Sequence, residues 1–145
     1  MENLHLNGGD VIPVGNNEEM NAIVRKERTW PKGRIPYVIA PSLRNKSEEI
    51  KKAMKYIEVR TCIRFVPRTR ESNYVYMIKN QSCSSFQGMV GGAQRLSLGN
   101  GCYKMGKILH ELVHAIGFSH EQSRFDRDEY ITIHWENIIP GKLTF

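Results

Sequence analysis

At 145 residues with 40% apolar side chains, the chain is large enough for one small hydrophobic core and no more. Its net charge of +6 comes from Lys and Arg residues scattered along the chain, without aromatic interleaving or a base-reading motif, which argues against a nucleic-acid-binding module. No apolar run is long enough to span a membrane, and no repeat or low-complexity tract is present.

The first twenty residues hold the acids Glu2, Asp10, Glu18 and Glu19 and no Lys or Arg. They lack the apolar core of a secretory leader, and His5 has no evident partner there. Gly8-Gly9-Asp10-Val11 has the composition of a turn. Residues 35–39 predict a strand closed by Pro41. Ser47, followed by Glu48 and Glu49, opens a helix with a capping oxygen and early acids. Ile50, Ala53, Met54 and Ile57 give that helix an apolar stripe, which is core and not a cofactor surface. Residues 63–66 and 74–78 predict strands, and residues 94–98 a further strand at the sheet edge. Ile108, Leu109, Leu112, Val113 and Ile116 form the apolar face of a second helix backed against the sheet. His134 alternates with Ile133 and Trp135 as in a strand and reads as a surface or packing residue. The order strand, helix, strands, helix implies helices layered on a sheet.

The second helix carries the chemistry. Residues 110–120 read HExxHxxGxxH. One turn apart, His110 and His114 point the same way and can grip one ion. Glu111 lies beside them as a general base for a zinc-bound water and is not needed as a ligand. Gly117 can take the left-handed conformation that ends a helix, and the reversal returns His120 as a third ligand. Three protein ligands leave one position open, which marks a catalytic site rather than a closed structural one. The bland alternative is an amphipathic helix that merely contains histidines.

The residues around this motif resemble a known family. His120-Glu121-Gln122-Ser123-Arg124-Phe125-Asp126-Arg127-Asp128 is similar to the HExxRxDRD extension of the astacin metallopeptidases, a branch of the metzincins. Trp30-Pro31-Lys32-Gly33-Arg34-Ile35-Pro36-Tyr37 resembles their WPxGxIPY opening, and Trp135-Glu136-Asn137-Ile138 their WENI segment. Gly92-Ala93-Gln94 with Leu96-Ser97-Leu98 resembles their active-site edge strand. Residues 1–20 then read as a partial propeptide and residues 21–145 as the N-terminal part of an astacin-like peptidase domain.

The resemblance implies an α+β fold of the metzincin N-terminal subdomain type. A twisted, mostly parallel sheet with an antiparallel edge strand packs on a long zinc-binding helix, and the C-terminal subdomain is missing. It implies one zinc per chain on His110, His114 and His120, with Glu111 catalytic, in a zinc-dependent endopeptidase. Substrate is expected to add as a strand along Gln94, Leu96 and Leu98. Gly8-Gly9-Asp10-Val11 is similar to the FxGDI motif of astacin propeptides, whose aspartate occupies the zinc; Asn7 departs from it, and a simple turn remains the alternative for Asp10. Asn21 lies nine residues before Trp30, the spacing of the mature astacin terminus. In the family that freed amino group pairs with the acid at Glu121; a solvated loop acid is the alternative reading.

In astacins the cysteines matching Cys83 and Cys102 are bridged, and the partner of Cys62 lies in the segment absent here, leaving Cys62 unpaired. Three reduced, buried thiols are the alternative. Expected partners are protein or peptide substrates and an activating protease, with no nucleic acid and no membrane span. The expected location is extracellular, although no signal peptide is present. No methionine turn follows the third histidine. A catalytically impaired fragment that binds zinc or a protein partner is therefore the alternative function.

Overall fold

A computed structural model describes residues 9–14, 26–124 and 126–138. Trp30 anchors the start of the continuous part: it is 6% exposed, and its indole N–H donates to the Ala115 carbonyl oxygen at 2.7 Å. The chain then turns through Pro31–Gly33. Gly33 has φ +65°, and a Cβ there would sit 3.1 Å from the Cys62 carbonyl oxygen, so both conformation and space require glycine.

The described residues form six strands and two helices. The strands are β1 (Val11–Ile12), β2 (Arg34–Ile39), β3 (Arg64–Pro67), β4 (Tyr74–Ile78), β5 (Ser84–Phe86) and β6 (Ala93–Ser97). The helices are α1 (Ser47–Glu58) and α2 (Met105–Ile116). The apolar pattern accounts for β2, β3, β4, β6 and both helices. Ser47 does not cap α1. The 3₁₀ segment Pro41–Lys46 runs straight into the helix, Ser47 is already helical, and Lys46 at the cap position gives no capping bond, its ammonium pairing with Glu49 at 3.1 Å instead. Glu48 and Glu49 nevertheless occupy the first turn, where they complement the helix dipole. The expected stripe of Ile50, Ala53, Met54 and Ile57 is buried. It meets Leu112 and Ile108 of α2 in one core with Ile35, Val75, Met77 and Leu96 of the sheet.

The sheet order is β1-β5-β6-β4-β2-β3. β3, β2, β4 and β6 run parallel, β5 runs antiparallel to β6, and β1 lies parallel to β5. The mostly parallel sheet with one antiparallel pairing and a helix packed on it is as expected. The position of the edge is not. β6 is paired on both sides, and Gln94, Leu96 and Leu98 are 1%, 0% and 0% exposed. They cannot receive a substrate strand. Ser84-Ser85-Phe86 supplies the outer strand instead, and β1 covers its free side.

A disulfide joins Cys83 to Cys102, tying the start of β5 to the turn that leads into α2. Cys62 is free and exposed. The strand-like alternation around His134 does not become a strand: residues 131–134 are irregular, a 3₁₀ turn occupies Trp135–Asn137, and His134 pairs with Glu136 on the surface. Among the described residues, no helix is long and apolar enough to cross a membrane.

Candidate metal centre

α2 ends at Gly117, whose φ of 137° is open to glycine and unfavourable to other residues. The chain reverses there and brings His120 back over the helix. His114 Nε2 then lies 3.0 Å from His110 Nε2, and His120 Nε2 lies 3.3 Å from it. A fourth donor arrives from the other end of the chain. Asp10 Oδ2 is 2.8 Å from His110 Nε2, and Asp10 Oδ1 is 3.0 Å from His120 Nε2 and 3.7 Å from His114 Nε2.

All four ligand atoms lie within 4.8 Å of one another. A tetrahedral zinc with bonds of about 2.0–2.1 Å has donors about 3.3 Å apart, so these separations fit one such ion. The outer contacts fit as well. His114 Nδ1 lies 2.8 Å from the Phe118 carbonyl oxygen, a bond that places the ring proton on Nδ1 and turns the Nε2 lone pair toward the site. Glu111 is 1% exposed, and its Oε2 has no hydrogen-bond partner: a buried acceptor facing the centre, not spent on structure.

The electrostatics of the protein groups follow from this crowding. Burial pushes the Glu111 carboxyl up to about 8, helped by the Asp10 charge and opposed by His110. Burial would also raise Asp10, but its bonds to His110 and His120 and the imidazole charges outweigh that and hold it well below the usual carboxylate range. The bond to Asp10 raises His110, whereas burial lowers His114.

Comparison with known proteins decides the ancestry of this centre. Residues 22–144 match the family model for Astacin, a family of peptidases. The chain belongs to the astacin family. It is 46% identical to zinc metalloproteinase nas-15 of Caenorhabditis elegans over 143 residues, covering 95% of this chain and 24% of that protein. It is 48% identical to astacin-like metalloprotease toxin 1 of Loxosceles intermedia over 125 residues, covering 85% of this chain and 47% of the toxin. Its structure resembles high choriolytic enzyme 1, a hatching enzyme zinc-protease from the medaka Oryzias latipes, with a TM-score of 0.75 and 43% identity, covering 83% of this chain and 64% of that one. The chain thus spans a quarter to two thirds of the length of these relatives. Zinc is the cofactor of the site.

Within this astacin-family chain, the sequence-predicted residues His110, His114, His120 and Asp10 come together, with the buried Glu111 close enough to feel the charges of Asp10 and His110, whereas Gln94, Leu96 and Leu98 lie in the core. Glu121 lies beside the site with Arg124 on it at 3.0 Å. Its expected partner, Asn21, lies outside the described residues, as do Asn7 and Gly8 of the Gly-Gly-Asp motif. Arg124 also grips Asp126 through two bonds of 2.7 and 2.8 Å, and Arg127 donates to the Gln122 carbonyl oxygen at 3.0 Å. These contacts stiffen the loop that carries His120. Two site residues escape the motif reading. Ser85 donates its backbone N–H to the Asp10 carbonyl oxygen at 2.9 Å and so defines the strand edge beside the metal. Trp30 donates its indole N–H to a carbonyl of the metal-binding helix.

Proposed function

We propose that this chain forms the metal-binding part of a secreted zinc endopeptidase, kept latent by its own N-terminal segment. The observation that carries the reading is the convergence of three imidazoles and one intruding aspartate on a single point, with an unsatisfied buried glutamate next to the first imidazole in the chain. When bound, zinc supplies Lewis-acid activation of water and of the scissile carbonyl. His110, His114 and His120 hold it. Glu111 accepts the proton of the attacking water and delivers it to the leaving amine. Burial is the main cause of its raised pKa and the Asp10 charge adds to it; withdrawing that charge and adding a cation both favour the ionised base.

Substrate, an extended protein or peptide segment, adds as a strand to the edge of β5 that β1 covers. Residues 1–20 act as the propeptide part, with Asp10 in the fourth position of the metal, and residues 21–145 as the N-terminal part of the peptidase domain. An activating protease removes the former. In the trimmed protein, the new amino group at Asn21 replaces Arg124 as the partner of Glu121, since a buried ammonium is tolerable only against a carboxylate. An extracellular location accords with the Cys83–Cys102 bridge.

A second reading, a catalytically impaired zinc-binding chain, draws on an apolar groove of about 590 Å³ lined by Trp30, Ile57, Leu109, Val113, Ile116 and Phe118. Metal analysis and hydrolysis of an unfolded protein substrate by the protein carrying this chain separate the two. The expected result is one zinc per chain, lost in His114→Ala but kept in Glu111→Ala, with hydrolysis removed in both. Zinc-loaded protein that never hydrolyses peptide bonds after loss of residues 1–20 supports the second reading. Absence of zinc, or full turnover without Glu111, overturns the first.

A further inference from the structure

The last turn of a helix leaves carbonyl groups without intrahelical partners. In α2 these are met one by one. Gly117 and Phe118 both donate to Val113 O at 3.2 Å, and the Trp30 indole donates to Ala115 O. The other two donors come from the segment that leaves β5: Gly88 N–H reaches His114 O at 2.9 Å, and Gln87 Nε2 reaches Gly117 O at 3.3 Å. The carbonyls they meet belong to a metal ligand and to the glycine that swings the next ligand into place.

That segment is held in turn by Gln94. Its Nε2 donates to Gly88 O at 2.7 Å, and its Oε1 accepts from Val90 N–H at 3.1 Å. Gln94 shares the inward face of β6 with Leu96, where an aliphatic side chain would serve packing alone. Burying an amide without partners would cost several kcal/mol, so its value lies in the two bonds it makes. Both go to the turn that clamps the α2 terminus.

We propose that Gln94 is a positioning residue for the metal site. It fixes the turn at residues 88–90, and through Gln87 and Gly88 that turn sets where the end of α2, and with it His114 and His120, stands relative to the β5 edge. Gln94 touches neither metal nor substrate. The inference rests on the zinc reading above and adds that the spacing between the strand edge and the metal is set from behind, out of the sheet interior.

The test uses the full 145-residue chain and two readouts besides activity: zinc affinity by chelator competition and the visible spectrum of the cobalt(II)-loaded protein. Gln94→Leu should weaken zinc binding about tenfold, the lower end of the range for outer-shell partners, and shift the cobalt bands. Val75→Ala, a buried β4 change away from the site, should lower the melting temperature and leave zinc affinity and spectrum unchanged. Wild-type affinity and spectrum in a folded Gln94→Leu chain overturn the proposal, as does equal weakening in Val75→Ala. Should Gln94→Leu fail to fold, Gln87→Met removes the side-chain donor to Gly117 O and decides the matter: weaker zinc binding supports the clamp, and unchanged binding overturns it. A wild-type chain that takes up no zinc is a different failure, that of the zinc reading itself.

Discussion

Asp10→Ala isolates the contact on which latency depends. The substitution removes an oxygen 2.8 Å from His110 Nε2 and another 3.0 Å from His120 Nε2. It leaves the Asp10 backbone bond to Ser85 and the buried Val11 side chain, so β1 stays on β5. Contacts involving a charged partner contribute about 1.5–3 kcal/mol each. In the zinc-loaded chain the carboxylate acts as a single ligand of the ion, so the upper figure taken once gives about 3 kcal/mol, or roughly a hundredfold in an equilibrium constant. The assay is binding of a simple hydroxamate, which competes for the fourth position, to the zinc-loaded chain. Its dissociation constant should fall about a hundredfold in Asp10→Ala and by an intermediate factor in Asp10→Asn, where an oxygen remains but its charge does not. Equal hydroxamate affinity in wild type and Asp10→Ala would refute the reasoning and leave Gly9-Asp10 as a turn beside the metal.

Other expectations follow from single contacts. Trp30→Phe strips the donor from Ala115 O and leaves a buried carbonyl unsatisfied, at a cost of about 1–3 kcal/mol; thermal melts should fall by about 4–12 °C, and an unchanged melt would mean that the indole only fills space. Opening the Cys83–Cys102 bridge releases a loop with a sequence separation of 19, worth about 3 kcal/mol in the chain-entropy account and roughly 10 °C in the melt of a Cys83→Ser, Cys102→Ser chain. Native alkylation should label one thiol per chain, and Cys62→Ser should abolish it; label on Cys83 or Cys102 would contradict the bridge.

The metal triad was legible because its geometry is local. Two histidines four residues apart on a helix face one another by helical period alone, and the glycine that turns the chain stands three residues further on. The α1 stripe and β4 were legible for the same reason, since period and apolar content agree. β5 was not. Ser84-Ser85-Phe86 has no β-branched residue and too short an alternation to announce a strand, and its pairing with β6 is a fact of tertiary packing. That omission misplaced the edge, because residues 94–98 carry the stronger strand pattern and the resemblance pointed to them. Gln94 shows the cost of reading type without depth: a polar residue in an alternating segment suggests a solvent-facing position, whereas its amide is buried and bonded at both ends. The two-residue β1 lies below any sequence signal, although the aspartate beside it was singled out by the resemblance of Gly8-Gly9-Asp10-Val11 to the FxGDI motif.

The separations along the chain give the four donors different histories. His110 and His120 are 10 residues apart, so the triad closes a short loop, whereas Asp10 meets His110 across 100 residues. During synthesis the aspartate leaves the ribosome long before the first histidine. If Asp10 is the proposed inhibitor, a protein built in this order completes it before the site that it covers. Loop closure lengthens the search only slowly with distance, so the delay between an assembled triad and its occlusion is short. A latch at the C-terminal end would have no such protection, because every newly made site would stand open until translation reached it.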